Sequence, residues 1–147
     1  LLDGLERLGV AARIAPSPAR TSRPGDAPCF ATPGEGEMTS NGEKLVGSAQ
    51  WRDGDTLLQH GSILIDDDQG LLVSLMTYPP AAPLPGAGTL RSALGRAPAP
   101  EEVASAMFQA VRHAEDPGAT ELDADEVVHW GDDALPLFCD ERWTWRR

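Results

Sequence analysis

The chain has 147 residues, of which 41% are hydrophobic, and its 12 Lys and Arg against 23 Asp and Glu give a formal net charge of −11. This length and hydrophobic content suit one domain with a buried core and exclude a disordered chain. The acidity argues against a nucleic-acid binder, and the lack of any apolar run of about 18 residues argues against a membrane helix. We therefore expect a cytoplasmic protein with no nucleic-acid or membrane partner.

The first half of the chain is predicted to be mainly β-structure. Leucines at helical spacing indicate a helix that ends at Gly9, and Val10 to Ile14 indicates a short strand. The Asn41–Gly42 pair predicts a tight turn between strands over 37–40 and 43–51. A third strand is predicted over 56–65, which completes an antiparallel meander. Because the helical pattern starts at the first residue with no capping residue ahead of it, we expect an N-terminally truncated chain.

The second half is predicted to be helical. Residues 89–94 form a short helix before Gly95, and Pro100 followed by two glutamates starts a longer helix that runs to Ala114. Two weaker helices are expected over 123–130 and 134–142, separated by Gly131. Prolines between 79 and 85 indicate an extended connection.

Strands followed by helices indicate an α+β fold, with an antiparallel or mixed sheet packed against helices. We interpret residues 1–147 as a single partial domain. Its strand part, 1–78, carries the site, and 87–147 form the helical part.

Lys44 is the only lysine among the 12 basic residues. Its ammonium group is a compact charge with three donors, which a guanidinium does not reproduce, so the lone lysine indicates a functional role. The alternative is an ordinary surface lysine.

Regular alternation along the strand that contains Lys44 would place two sets of side chains on opposite faces. The first set is Lys44, Val46, Ser48 and Gln50, and the second is Leu45, Gly47, Ala49 and Trp51. The small residues of the second set would leave a trough for an elongated ligand. Alternatively, a strand glycine marks a bulge or tight packing.

The two cysteines are judged as separate thiols, because they are too few for a disulfide framework or a zinc site. Cys29 lies in a loop rich in Pro and Gly, where it could be a packed thiol or a nucleophile activated by a nearby cation. Cys139 is expected to pack in the core. His60, which precedes Gly61 and Ser62, is either a hydrogen-bonded structural residue or part of a site.

Three segments form a specific pattern: Cys29–Phe30, the sequence NGEKLVGSAQ over 41–50, and LQHGSIL over 58–64. Their arrangement resembles the biotin/lipoate protein ligase superfamily, and most closely its lipoyl octanoyltransferase branch. The helix that starts at Pro100 and the sequence WTWRR over 143–147 also fit. An earlier arginine-rich motif of that family is absent, so the resemblance is to the C-terminal part of the catalytic domain.

The resemblance implies a ligase-like catalytic domain and an octanoyltransferase without a cofactor. Such an enzyme moves an octanoyl group from acyl carrier protein to a lysine of a lipoyl domain, through an acyl-cysteine intermediate. It implies Cys29 as the nucleophile and Lys44 as its catalytic partner. Residues implied to bind the substrate are Val46, Gly47, Ser48, Ala49, Gln50, His60 and Gly61.

The implied partners are octanoyl-acyl carrier protein and lipoyl-domain proteins, either the glycine cleavage H protein or the E2 subunits of 2-oxoacid dehydrogenases. Scattered arginines, namely Arg20, Arg23 and Arg52, are the basic groups that could dock them. Two alternatives are an ATP-dependent lipoate–protein ligase, in which Cys29 has no role, and a noncatalytic acyl- or protein-binding remnant.

Overall fold

The computed structural model describes residues 1–17, 29–67, 69–77 and 86–144. The described strands are β1 (Ala12–Ile14), β2 (Met38–Ser40), β3 (Glu43–Asp53) and β4 (Thr56–Ile63). The described helices are α1 (Leu2–Arg7), α2 (Gly70–Leu75), α3 (Leu90–Leu94), α4 (Pro100–Ala114), α5 (Ala124–Phe138) and α6 (Glu141–Thr144). The strands form one sheet in the order β1-β2-β3-β4, and each neighbouring pair is antiparallel. The predicted α+β class with an antiparallel sheet is therefore confirmed. The predicted extended connection over 79–85 lies outside the described residues.

The turn between β2 and β3 has the geometry that its sequence requires. Asn41 and Gly42 both have positive φ angles, of 53° and 84°. A two-residue hairpin loop of this kind matches the twist of the flanking strands, and Asn-Gly is the pair that adopts it most readily. The predicted hairpin is confirmed, and its register begins with Ser40 opposite Glu43.

A β-bulge interrupts β3 directly after this turn. Thr39 pairs with Lys44, but Met38 pairs with Val46, so β3 contains one extra residue, Leu45. Leu45 and Val46 are 0% and 2% exposed, and both belong to the hydrophobic core. The bulge thus buries two consecutive side chains on the core side of the sheet.

The bulge also changes which residues share the other face. A Cβ atom at Gly47 would lie 3.3 Å from Cε of Lys44. Lys44 and Gly47 therefore face the same side, and the prediction that placed Lys44 with Val46, Ser48 and Gln50 is wrong. Period-two alternation does not continue through Leu45, because the extra residue in β3 reverses the faces that follow it.

The core lies between the start of the sheet and three helices. Its buried members come from α1, β3, α3, α4 and the segment after α1: Leu5, Val10, Leu45, Val46, Leu90 and Val103. Helix α1 approaches α4 closely at Gly4, where a Cβ atom would lie 3.3 Å from the Met107 Cα. Gly9 follows α1 with a φ of 86°, as expected for a residue that ends a helix.

Strand β4 approaches β3 closely at Gly61. A Cβ atom there would lie 2.8 Å from the backbone oxygen of Gly47, so any side chain would push the two strands apart. Beyond this point the β3–β4 ribbon is exposed on both faces through to its turn at Gly54.

Helix α3 connects the helical part to the strand that carries Lys44. The Leu90 and Arg91 amides donate to the carbonyl oxygens of Leu64 and Ile65, which follow β4. Just before α3, the Gly88 amide donates to the Lys44 carbonyl oxygen at 2.9 Å. A Cβ atom at Gly88 would lie only 3.0 Å from the Glu43 carbonyl oxygen, so glycine allows this approach. The backbone of Lys44 is therefore held from both sides.

The last part of the chain differs from the prediction at α5 and at Cys139. Helix α4 has its predicted bounds, but α5 runs through Gly131 without a break. An interior glycine costs a helix only about 1 kcal/mol, and the Asp123 carboxylate caps the start of α5. Cys139 follows α5 and is exposed, so its predicted place in the core is wrong. The reason is that α5 has no buried residue, so the helix end is not packed.

The N-terminal cap of α3 should contribute measurably to stability. The Ser92 amide donates to Oγ1 of Thr89, and the Thr89 amide donates to Oγ of Ser92. We expect Thr89→Ala to lower the free energy of unfolding by about 1 kcal/mol, because the reciprocal cap is lost. Chemical denaturation would measure this, with the exposed Thr120→Ala as the matched control. Equal losses in the two variants would contradict a capping role.

Candidate functional site

Lys44 is a buried lysine at the start of β3, with a residue exposure of 7%. Its Nζ lies 2.6 Å from Oε2 of Glu37 and donates to the backbone oxygen of Cys29 at 2.5 Å. The ring of Phe30 lies beside it, with Nζ 5.2 Å from the ring centroid, a cation–π distance. A buried ammonium group requires such partners, because its desolvation is costly. Lys44 is thus held by a carboxylate, a carbonyl and a ring.

Glu37 lies immediately before β2 and accepts hydrogen bonds from three directions. Oε2 accepts from the Gly34 amide at 2.6 Å and from Nζ of Lys44. Oε1 accepts from the Ser48 amide at 3.1 Å. The carboxylate therefore joins the loop after Cys29 to β3 on both sides of the bulge.

These contacts favour the ionised form of Glu37. Burial acts to raise the pKa of this carboxyl, but the hydrogen bonds from Lys44, Gly34 and Ser48, together with the attraction of the ammonium group, lower the pKa below its ordinary value of 4.5. The carboxylate and the ammonium group therefore form a charged pair at neutral pH.

The structure brings together the two residues predicted to be catalytic. Cys29 is exposed, and its own carbonyl accepts the hydrogen bond from Lys44. The two residues are 15 positions apart in the sequence, and the loop and the hairpin lie between them. The contact is made by the backbone of Cys29, and it brings the loop that carries this thiol to the ammonium group.

One face of the β3–β4 ribbon continues from Lys44. Gly47 pairs with Ser62 and Ala49 pairs with His60, so these four residues share the Lys44 face after the bulge. Gly47 leaves room there for Lys44 and for Phe30, whose Cζ would lie 3.4 Å from a Cβ atom at this position. Small side chains thus line a shallow strip that leads away from the ammonium group. His60 is exposed at the edge of this strip.

The other predicted substrate-binding residues lie elsewhere. Val46 packs in the hydrophobic core, and Ser48 contributes its backbone amide to Glu37. Gln50 donates from its side chain to Gln59 on the opposite face of the ribbon. Gly61 permits the close contact of β4 with β3. Their roles in binding stay predictions.

Sequence reasoning missed Glu37. One signal could have found it, because a hairpin that turns at 41–42 brings the residues just before β2 close to the strand of the only lysine. The bulge, which decides the exact partner, has no marker in the sequence.

Three further features belong to the described part of the chain. Across 1–17, 29–67, 69–77 and 86–144, no cluster of His, Cys, Asp and Glu could hold a metal ion. The open groove of about 490 Å³ between α1 and α4 is lined by Arg7, Glu102 and Gln109 among others, and includes none of Cys29, Lys44 and Glu37. None of the helices in the described part has the length and apolar character needed to cross a membrane.

The ion pair predicts a pH-dependent contribution to stability. Because the pKa of Glu37 is lower in the folded protein than its ordinary 4.5, its contribution is complete above that value and is lost as the pH falls through the folded-state pKa. Glu37→Gln should therefore be destabilised most above pH 4.5, and the difference should shrink in acid. Thermal melting of both proteins across this range measures the difference, with Glu35→Gln, an exposed carboxylate in the same loop, as the control. A difference in melting temperature between the unsubstituted protein and Glu37→Gln that stays constant with pH would contradict the charged pair.

Comparison with known proteins identifies relatives for about half of the chain. The chain is 39% identical over 84 residues to "Octanoyltransferase LipM" of Brevibacillus brevis, which covers 54% of this chain and 30% of the relative. It is 41% identical over 87 residues to the protein of the same name from Symbiobacterium thermophilum, covering 56% and 32%. For the Bacillus subtilis protein of that name the values are 37% over 84 residues, 54% and 30%.

No protein-family profile matches the chain, and no solved structure matches it. The chain spans about a third of the length of the curated relatives that it matches. Over that shared part, the relatives confirm the resemblance to the lipoyl octanoyltransferase branch.

Proposed function

We propose that this protein is an octanoyltransferase that carries the octanoyl group on Cys29. The observation that carries the proposal is the buried Lys44 ammonium group, which donates at 2.5 Å to the carbonyl oxygen of Cys29, itself an exposed residue. The names of the relatives support the same reaction class.

The reaction has two balanced steps. The Cys29 thiolate attacks the carbonyl carbon of the octanoyl thioester on acyl carrier protein, the carrier sulfur leaves, and an octanoyl-cysteine thioester forms. The amine of a lysine on a lipoyl domain then attacks this thioester and loses a proton, and the Cys29 sulfur leaves. The products are an amide and the free carrier thiol, so the reaction needs no oxidant, nucleotide or other cofactor.

Lys44 stabilises the negative charge that develops in both steps. An ammonium group has three N–H donors, and the described residues accept two of them, at the Cys29 carbonyl and the Glu37 carboxylate. In this proposal the third donor binds the oxyanion of the tetrahedral intermediate. The same charge favours the neutral form of the incoming amine by like-charge repulsion.

The octanoyl chain would lie along the strip that begins at Gly47 and continues past Ala49 towards His60. This strip begins beside the Lys44 ammonium group, where the reacting carbonyl must sit. The acceptor would be the glycine cleavage H protein or the E2 subunit of a 2-oxoacid dehydrogenase. Of the arginines predicted to dock the partners, Arg52 is exposed on β3, and Arg20 and Arg23 lie outside the described residues. The cytoplasmic location stays a prediction.

The acyl-cysteine intermediate can be detected directly. We expect the complete protein to gain one octanoyl group when it is incubated with octanoyl-acyl carrier protein without ATP, and Cys29→Ala to gain none. Intact mass spectrometry measures the adduct, and Cys139→Ser is the matched control because that thiol is also exposed.

Other outcomes of this experiment would identify the alternatives. Acyl transfer to a lipoyl domain only when ATP and free octanoic acid are supplied would indicate a lipoate–protein ligase. Acyl binding with neither an adduct nor transfer would indicate a noncatalytic protein.

Lys44→Arg should lower the rate of acyl transfer by about 100-fold or more, the effect of losing one oxyanion donor. A guanidinium is larger and planar. Lys44 and Phe30 already lie within about 3.5 Å of the position that a Cβ atom at Gly47 would occupy, so little room is left for the larger group. Single-turnover transfer kinetics measure the change, and Arg13→Lys, an exposed arginine on β1, is the control. Near-normal turnover of Lys44→Arg would remove Lys44 from the mechanism.

A further inference from the structure

Glu37 has no part in the two chemical steps above, yet it is built into the site. Its side chain is 11% exposed and accepts from the Gly34 amide, the Ser48 amide and Nζ of Lys44. Every one of these donors belongs to the loop or the strand that carries a reacting group. The carboxylate is therefore held in place by two backbone amides as well as by Lys44.

Stability alone does not account for this arrangement. A buried ion pair is often no more stabilising than apolar side chains of the same volume, because both charges must be desolvated. Lysine, in contrast, has a flexible four-carbon chain, and its ammonium group needs fixed partners to keep one position. Glu37 and the Cys29 carbonyl supply two such partners.

We propose that Glu37 is a positioning residue, whose carboxylate holds the Lys44 ammonium group beside the Cys29 loop. This inference rests on the proposed function, since it assigns Glu37 a part in the same reaction.

Three other titratable groups belong to the elements around the pair. Glu35 is exposed in the same loop, and Glu43 precedes Lys44 and lies beside Gly86. His60 faces the strip from β4. Among the described residues, Glu37 is the carboxylate that forms an ion pair with the ammonium group, so its removal changes the position of that group most directly.

The test measures octanoyl transfer by Glu37→Gln, which keeps the shape of the side chain and removes the charge that holds the ammonium group. We expect kcat to fall about 10-fold with KM nearly unchanged, because the ammonium group is displaced at the reacting carbonyl and not at the binding surface. Glu35→Gln, the matched control, should leave both constants in place.

The split between kcat and KM separates positioning from general disruption. Loss of local structure would raise KM as well, because the strands that bind the substrate would also be displaced. An unchanged kcat, a rise in KM that accounts for the loss of activity, or an equal loss of kcat in Glu35→Gln would each overturn the inference. Thermal melting confirms that the variant is folded under the assay conditions.

A second variant covers the case in which Glu37→Gln does not fold. Glu37→Asp keeps the charge but is one methylene shorter, so it cannot reach Lys44, Gly34 and Ser48 together. We expect its kcat for octanoyl transfer to fall about 10-fold with KM nearly unchanged, because the ammonium group is displaced at the reacting carbonyl and not at the binding surface. Full kcat in Glu37→Asp would overturn the positioning role.

The two levels of the proposal fail separately. If the unsubstituted protein forms no octanoyl adduct, the proposed function fails whatever the alkylation profiles show. If the adduct forms but Glu37→Gln and Glu37→Asp keep full kcat, the transferase stands and the role of Glu37 fails.

Discussion

The single extra residue in β3 is the constraint on which the arrangement of this protein depends. Because Leu45 is inserted opposite β2, the strand turns two consecutive side chains into the core. The residues on either side of them, Lys44 and Gly47, then share the opposite face. With the same residues in regular alternation, Lys44 and Gly47 would lie on opposite faces of the sheet.

Burying the cation creates a second requirement, which the loop before β2 meets. An ammonium group that is almost fully removed from water needs charge compensation and hydrogen-bond acceptors. Glu37 provides the first, and the Cys29 carbonyl provides one of the second. As a result the loop with the thiol is tied to the strand with the lysine, and folding of the hairpin assembles the site.

Local signals predicted most of the fold, whereas the contacts that build the site were less accessible. The Asn41–Gly42 turn and the Pro100 helix start have strong backbone preferences, so their elements follow from the sequence. The break expected at Gly131 did not occur, since a glycine is too weak a signal against a capped amphipathic helix. The partner of Lys44 depends on strand register, and register near a bulge is fixed by packing that no short motif records.

The bulge also means that the site depends on residue number in β3 as well as on residue identity. Removing Leu45 would restore regular pairing with β2, and Lys44 and Gly47, then two positions apart, would still share one face of the sheet. Inserting one more residue between them would instead place them on opposite faces, although every group of the site would remain in the chain. The deletion would therefore act on stability, through the loss of a fully buried leucine, whereas the insertion would act on the site, a distinction that a scan of point mutations alone would not reveal.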